Sequence, residues 1–178
     1  MSEYQGIPSS SFSVEESLVN IKDKLSRCPK LLHFVKESTK IFDESHDWRH
    51  AVIVTSNTHN VMQSLSDNYE EELVTYAAML HDVCDHKYPE SISREELVKF
   101  IVDSTSTVLA ERIMKIIDNV SYSKQVKGLR QELSEPDVTY LNALSDADRL
   151  EAIGQVGIAR CTAFTLKMNG KVNKPTSH

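Results

Sequence analysis

Apolar residues recur at helical spacing along most of this sequence, and that periodicity limits the possible folds more than any other feature. Leu18, Ile21 and Leu25 would share one helix face after Ser13-Val-Glu-Glu16, which has the pattern of a capping box. Further segments of this kind begin near positions 30, 47, 70, 93, 108 and 138, and the last ends near 167. No stretch of useful length alternates apolar and polar residues as a strand does. The sequence therefore predicts an all-α bundle of six to eight helices.

The chain has 178 residues, enough for one compact domain, which we expect to span 13–167. Positions 1–12 carry Gly6, Pro8 and a serine run, which is typical of a mobile leader, and they lack the basic start and apolar core of a secretory signal. Positions 168–178 are typical of a C-terminal tail. No apolar run approaches the roughly 20 residues that cross a bilayer, so no membrane association is expected.

Charge and cysteine content narrow the classes of function. The net charge is −6 and no long basic stripe occurs, which argues against nucleic-acid binding through the phosphate backbone. The three cysteines lie far apart and form no C-x-x-C, so neither a disulfide framework nor a zinc ribbon is indicated. This pattern favours a reducing, cytoplasmic location. Assembly into a homo-oligomer is left open.

An apolar helical pattern runs directly into charged residues in the stretch "MLHDVCDHKY". Residues 76–80 are apolar enough to be buried, and His81 and Asp82 follow at once. A buried carboxylate is costly unless a cation or hydrogen bonds compensate it. Because an imidazole nitrogen and a carboxylate oxygen are both metal ligands, a bound cation would supply that compensation.

Adjacent helical residues point about 100° apart, so His81 and Asp82 can share a metal only if other helices supply further ligands. His50 or His46 is available upstream, and Asp148 or Asp146 downstream. The stretch "HDWRH" also resembles the zinc-peptidase motif H-E-x-x-H, but an aspartate with a shorter reach replaces the glutamate base, which disfavours that reading.

Three ordered motifs resemble those of the HD-domain superfamily of metal-dependent phosphohydrolases. They are H-D-W-x-H at 46–50, H-D-x-x-D-x-K at 81–87 and D-A-D-R-L-x-A-I-G at 146–154, with I-x-x-x-S-Y-S at 117–123 between the second and third. The similarity spans about 42–160. The pattern is closest to a branch of small nucleoside triphosphate pyrophosphohydrolase-like proteins. The resemblance implies a helical HD-type domain with a metal site at its centre.

The resemblance also implies which residues bind the metal. The expected ligands of one divalent ion are His50, His81, Asp82 and Asp148. Asp148 is preferred to Asp146 because the family places this ligand directly before a basic and an apolar residue. The branch suggests Mn, and the donor types also suit Mg, Co, Ni, Fe or Zn.

Further roles follow from position and from the family pattern. Asp85, about one helical turn after Asp82, is the expected proton-transfer group, and Lys87 the expected phosphate contact. His46 is expected to support the site or touch substrate, and Ser45 could cap the following helix. Other phosphate-binding candidates are Arg49, Lys124, Lys127 and Arg149, although each residue type is more often a solvated surface charge. The polar segment 121–136 is expected to be a loop or lid, and Tyr122 or Trp48 could stack on a base.

The expected activity is hydrolysis of (deoxy)nucleoside triphosphates to monophosphate and pyrophosphate by metal-activated water. Two other activities stay open, a nucleoside monophosphate phosphatase and a cyclic-nucleotide phosphodiesterase. A non-catalytic module that binds metal and nucleotide is the alternative from another class. The branch usually continues with further helices after a segment like 157–160, whereas this sequence soon stops, so a more open cavity or a covering partner subunit is expected.

Overall fold

A computed structural model describes residues 13–85 and 88–151, and every regular element within these ranges is an α-helix. The described helices are α1 (Val14–Asn20), α2 (Lys22–Arg27), α3 (Leu31–Ser38), α4 (Trp48–Leu65), α5 (Glu71–Leu80), α6 (Arg94–Ser104), α7 (Thr107–Asn119), α8 (Tyr122–Val126) and α9 (Asp137–Leu150). The prediction of an all-α fold is confirmed.

The described part of the chain contains nine helices, more than the six to eight predicted. The first predicted helix is divided at Ile21, a fully buried residue that ends α1 and precedes α2. The short helix α8 lies in the segment that was predicted to be a loop. The last predicted helix is described only as far as Leu150, and the expected leader and tail both lie outside the described residues.

Side-chain caps explain where several helices begin. The predicted capping box is present at α1, where the Ser13 hydroxyl accepts from the Glu16 N–H at 3.1 Å and the Glu16 carboxylate accepts from the Ser13 N–H at 2.8 Å. At α4 the Asp47 carboxylate accepts from the Arg49 N–H at 2.8 Å. Asp47, and not Ser45, is therefore the N-cap of α4. This cap fixes His50 in the first turn of that helix.

Helix α5 lies at the centre of the fold. Its residues 73–80 are all buried, as expected for a helix that is covered on every side. Helices α4, α7, α9, α2 and α3 pack around it, and α4 and α9 also pack against each other. Because α4, α5 and α9 contact one another pairwise, residues at their ends can converge on one point. None of the helices described here combines the length and apolar character that a membrane span needs.

Candidate metal centre

Helix α4 contributes His50, whose side chain is almost completely buried. Its Nε2 atom lies 3.2 Å from Oδ1 of Asp148 on α9 and 3.6 Å from Oδ2 of Asp82. The ring centroids of His50 and His81 are 5.3 Å apart. The first turn of α4 therefore faces both of the other chain segments that carry candidate ligands.

The second histidine, His81, lies at the C-terminal end of α5. The helix ends at Leu80. A turn follows, in which the Val83 N–H donates a hydrogen bond to the Leu80 carbonyl at 3.2 Å. The Nδ1 atom of His81 lies 2.7 Å from the Ala78 carbonyl oxygen, which can only accept, so Nδ1 carries the hydrogen. The Nε2 atom is buried and lies 3.3 Å from Oδ2 of Asp82.

Two carboxylates complete the cluster on its more open side. Asp82 and Asp148 are 30% and 34% exposed, whereas both histidine side chains are buried. The Asp148 Oδ1 atom lies 3.7 Å from Nε2 of His81. Asp146 is 67% exposed and lies 3.6 Å from the guanidinium of Arg149. Of the two late aspartates considered from the sequence, Asp148 is the one that reaches the histidines.

Mutual interactions shift the pKa values of the cluster strongly. Burial alone would raise the pKa of the Asp82 and Asp148 carboxyls, but the charges and hydrogen bonds of His81 and His50 outweigh it and hold both values below their ordinary range. Burial opposes the charged form of His81, yet the two carboxylates hold its pKa well above the usual value. In the absence of a metal ion, the cluster therefore favours ionised carboxylates beside a protonated His81 ring.

This arrangement fits a metal ion. His50, His81 and Asp148 each offer one ligand atom, these atoms lie within 4.8 Å of one another, and the group could hold a metal ion. Asp82 adds a carboxylate oxygen within 3.3–3.6 Å of both histidine Nε2 atoms. The hydrogen bond from His81 to Ala78 leaves Nε2 as the metal-facing nitrogen of a neutral ring, as is usual for histidine ligands.

His46 lies beside this cluster in a network that the sequence analysis missed. Its Nδ1 atom contacts the Ser45 hydroxyl at 2.7 Å and the Tyr88 hydroxyl at 3.1 Å, and both hydroxyls also bond to the Asp43 carboxylate. Asp43 and Tyr88 were not singled out because they flank the motifs that carry the resemblance. The only indication in the sequence was that Asp43 and Tyr88 lie close to the motifs at 46–50 and 81–87.

Of the two predicted catalytic residues, the structure describes Asp85 but not Lys87. The main chain after His81 and Asp82 is a turn and not the helix that was assumed for Asp85. The Asp85 carbonyl accepts from the Tyr88 N–H at 3.0 Å and from the Ser91 hydroxyl at 3.2 Å, which fixes the backbone at this position. Lys87 lies outside the described residues. Both roles stay predictions.

Three of the predicted phosphate-binding cations are engaged with protein groups. Arg49 pairs with Asp47 at 2.7 Å, and the Lys124 ammonium donates to the Asp118 carbonyl at 2.6 Å. Arg149 donates to the Gln125 amide oxygen, and its guanidinium carbon lies 5.3 Å from the centroid of the Tyr122 ring. Substrate contact by these side chains would require an exchange of partners.

Arg130 is a further residue that sequence reasoning missed. It donates to the Ser145 hydroxyl at 2.9 Å and thereby ties the segment after α8 to α9. Burial and the nearby charge of Arg149 lower its pKa from the ordinary arginine value. The segment predicted as a loop is thus fastened to the helix that carries Asp148.

Comparisons with known proteins give two relatives and one similar solved structure. No family model matches the chain. YpgQ of Bacillus subtilis (strain 168) is 33% identical over 132 residues, which cover 68% of this chain and 59% of the relative. L803 of Acanthamoeba polyphaga mimivirus is 32% identical over 135 residues, which cover 67% of this chain and 53% of the relative. The chain thus spans less than two thirds of the length of either curated relative.

The similar solved structure is the crystal structure of Bacillus subtilis YpgQ in complex with ADP. It matches with a TM-score of 0.60 and 27% identity, over 82% of this chain and 69% of the YpgQ chain. The likeness therefore covers most of the helical fold described above.

Proposed function

We propose that this protein is a divalent-metal-dependent phosphohydrolase of the HD-domain superfamily that acts on nucleotides. The observation that carries the proposal is the meeting of His50, His81, Asp82 and Asp148. They come from three separate chain segments, and each imidazole Nε2 lies 3.2–3.7 Å from a carboxylate oxygen of each aspartate. Bringing four buried or partly buried polar side chains together costs free energy, and a cation bound by all four would offset that cost.

The four side chains are the proposed ligands of one ion. Two imidazoles and two carboxylates suit Mn first, by the resemblance, and Mg, Co, Ni, Fe or Zn by their chemistry. Four protein ligands leave room for substrate at an ion of higher coordination number. The partial exposure of Asp82 and Asp148 is in keeping with access from solvent on that side.

Nucleotides are the proposed substrates. The ADP in the YpgQ crystal structure supports this class because that chain resembles ours over most of its length. The resemblance of the three motifs favours (deoxy)nucleoside triphosphates, cleaved to monophosphate and pyrophosphate. Release of phosphate from monophosphates, or opening of cyclic nucleotides, would use the same residues. A screen of nucleotides distinguishes these activities from triphosphate hydrolysis.

When bound, the ion would lower the pKa of water and offset charge on the phosphoryl oxygens. The chain's own residues would do the rest. Asp85 is proposed to transfer a proton and Lys87 to contact phosphate. Arg49, Lys124 and Arg149 would add positive charge along the phosphate chain after leaving their present partners.

A non-catalytic module that binds nucleotide is the second candidate. The observation that favours it is that the YpgQ crystal structure reports a complex with ADP, which is binding and not turnover. The cytoplasmic location expected from the sequence stays a prediction, and assembly into a homo-oligomer stays open.

The test combines elemental analysis of the purified protein with a nucleotide screen in Mn²⁺ that separates phosphate from pyrophosphate. We expect about one divalent ion per chain and pyrophosphate release from triphosphates. Free phosphate alone, released from monophosphates, would contradict the pyrophosphohydrolase proposal. Nucleotide binding without turnover under any metal would favour the second candidate.

Two aspartates two residues apart on α9 give a matched pair of variants. Asp148→Asn should weaken Mn²⁺ binding at least about tenfold, because it removes a ligand charge. Asp146→Asn should bind Mn²⁺ as the wild type does, because Asp146 is exposed and pairs with Arg149. Equal affinity in both variants, read by titration calorimetry, would show that Asp148 is not a ligand.

A further inference from the structure

Arg130 and Arg149 form a pair of positive charges that their neighbours neutralise poorly. Burial and the charge of Arg149 lower the pKa of Arg130, so the two guanidinium groups are near enough to repel each other. Arg130 donates to two uncharged oxygens, the Ser145 hydroxyl at 2.9 Å and the Val120 carbonyl at 3.4 Å. Among the described residues, no carboxylate forms an ion pair with Arg130.

Each of the two arginines also has a hydrogen-bond donor that is not used. The Nε–H groups of Arg130 and Arg149 are buried and have no acceptor within the described part of the chain. A buried donor without an acceptor costs free energy. Arg149 uses another nitrogen for the Gln125 amide oxygen, and the mostly exposed Asp146 carboxylate lies 3.6 Å from its guanidinium. An anion with several oxygens could accept from both side chains, and phosphate is the anion that arginine forks fit well.

The arginine pair borders the candidate metal centre. Arg130 is bonded to Ser145, and Asp148 and Arg149 follow three and four residues later on α9. Residues at these separations are neighbours on one side of a helix. The Arg130 guanidinium therefore lies about one helical turn from Asp148, a proposed metal ligand.

Helix α8 occupies part of this site. The Gln125 amide oxygen accepts from Arg149, and the Tyr122 ring centroid lies 5.3 Å from the guanidinium carbon. None of the five residues of α8 is buried, so little packing holds this helix in place. Hydrogen bonds from a guanidinium to a charged phosphate oxygen are stronger than those to a neutral amide oxygen. A phosphate group can therefore displace Gln125.

We propose that Arg130 and Arg149 together bind one phosphate group, and that the Gln125 amide oxygen occupies this site until the phosphate displaces it. In nucleotide hydrolysis this group belongs to the phosphate chain of the substrate. That assignment rests on the proposed function, whereas the binding of phosphate by the two arginines does not.

Inorganic pyrophosphate is the probe, titrated by calorimetry into the full-length protein in EDTA so that no metal ion contributes. We expect the wild type to bind it. Arg130→Gln should raise the Kd at least about tenfold, because charged hydrogen bonds to phosphate are lost while the amide can still donate to Ser145. Arg27→Gln is the matched control, since it removes the same charge from an exposed pair with Glu71 and should bind as the wild type does. No binding by the wild type, or equal loss in the two variants, would overturn the proposal.

Variants of Gln125 test the displacement and leave both arginines in place. Gln125→Ala removes the competing acceptor from an exposed helix, so the Kd for pyrophosphate should fall about threefold or more. Gln125→Glu should raise the Kd at least about threefold, because a carboxylate pairs with Arg149 more strongly than an amide does. An unchanged Kd in either variant would overturn the role of Gln125.

Kinetics of the Mn²⁺-loaded protein test whether the bound phosphate is that of the substrate. Arg130→Gln should raise the KM for the hydrolysed nucleotide about tenfold or more with metal content unchanged. An unchanged KM would overturn the assignment to the substrate and leave a site for free phosphate or pyrophosphate. If the wild type hydrolyses no nucleotide, the proposed function fails, while the pyrophosphate titration still decides whether the two arginines form a site.

Discussion

Among single residues, His81 has the surroundings that best match those of a metal-binding histidine. Its Nδ1–H is committed to the Ala78 carbonyl, so the neutral ring can offer only Nε2 to the cluster. In the absence of a cation, Asp82 and Asp148 favour a proton at that atom and raise the pKa of His81. A metal ion at the centre would therefore compete with a proton, and binding would release one.

Variants of Asp82 and Asp85 distinguish a metal ligand from a proton-transfer residue. Asp82→Ala removes the carboxylate shared by both histidines, so we expect loss of bound metal and a less stable protein. Asp85→Ala should keep the metal and the fold, yet lose turnover by about 10²–10⁴-fold. Elemental analysis, circular dichroism and initial rates measure these effects. Metal loss of equal size in the two variants would mean that Asp85 is a ligand.

His59 predicts how stability depends on pH. It is buried between the Tyr69 hydroxyl at 2.8 Å and the Thr75 hydroxyl at 3.0 Å, and burial lowers its pKa to about 3. The unfolded chain, with an ordinary value near 6.5, takes up this proton first as the pH falls. We therefore expect His59 to lower the free energy of unfolding by about 2 kcal/mol when the pH falls from 7 to 5.

The comparison is with His59→Gln, whose amide can still hydrogen-bond both hydroxyls. Urea titrations at the two pH values should show a smaller loss of stability in the variant by about that amount. Parallel losses in the variant and the wild type would show that His59 does not titrate between them.

Among the helices, α4, α5 and α9 hold the candidate centre, and an ion-pair network joins the beginnings of two of them. The Arg112 guanidinium on α7 pairs with Glu70, the N-cap residue of α5, at 2.7 Å. It also pairs with Asp137, the first residue of α9, at 2.6 Å. One side chain thus fixes α7 against both helices.

Removal of this network should be measurable. We expect Arg112→Ala to lower the free energy of unfolding by about 1–2 kcal/mol, because several charged hydrogen bonds are lost at a partly buried position. Lys99→Ala is the matched control, since the Lys99 and Asp103 side chains form an exposed pair within α6 that should contribute less than about 0.5 kcal/mol. Equal destabilisation, measured by urea titration, would mean that the network adds nothing to an ordinary surface pair.

For the whole molecule, a shared ion would link three segments that are distant in the sequence. Mn²⁺ at 100 times its dissociation constant should stabilise the fold by about 2.7 kcal/mol, which raises Tm by several degrees. Chelation should reverse the shift, and at the same Mn²⁺ concentration Asp148→Asn should reduce it to about half or less while Asp146→Asn keeps it. A full shift in Asp148→Asn would indicate that the ion stabilises the protein elsewhere.

The sequence by itself determined the helical class, most helix positions and the capping box of α1. These follow from local periodicity and from side chains that bond to backbone within a few residues.

Only the tertiary structure decided how the other residues are used. Asp43 and Tyr88 stand 45 positions apart, and no local pattern relates them. The break of the first helix at Ile21 and the pairing of Arg149 with α8 depend on neighbours that the fold supplies. The reason is physical: helix propensity is set within a few residues, whereas burial, hydrogen-bond partners and tautomers depend on chain segments that meet only when the bundle has formed.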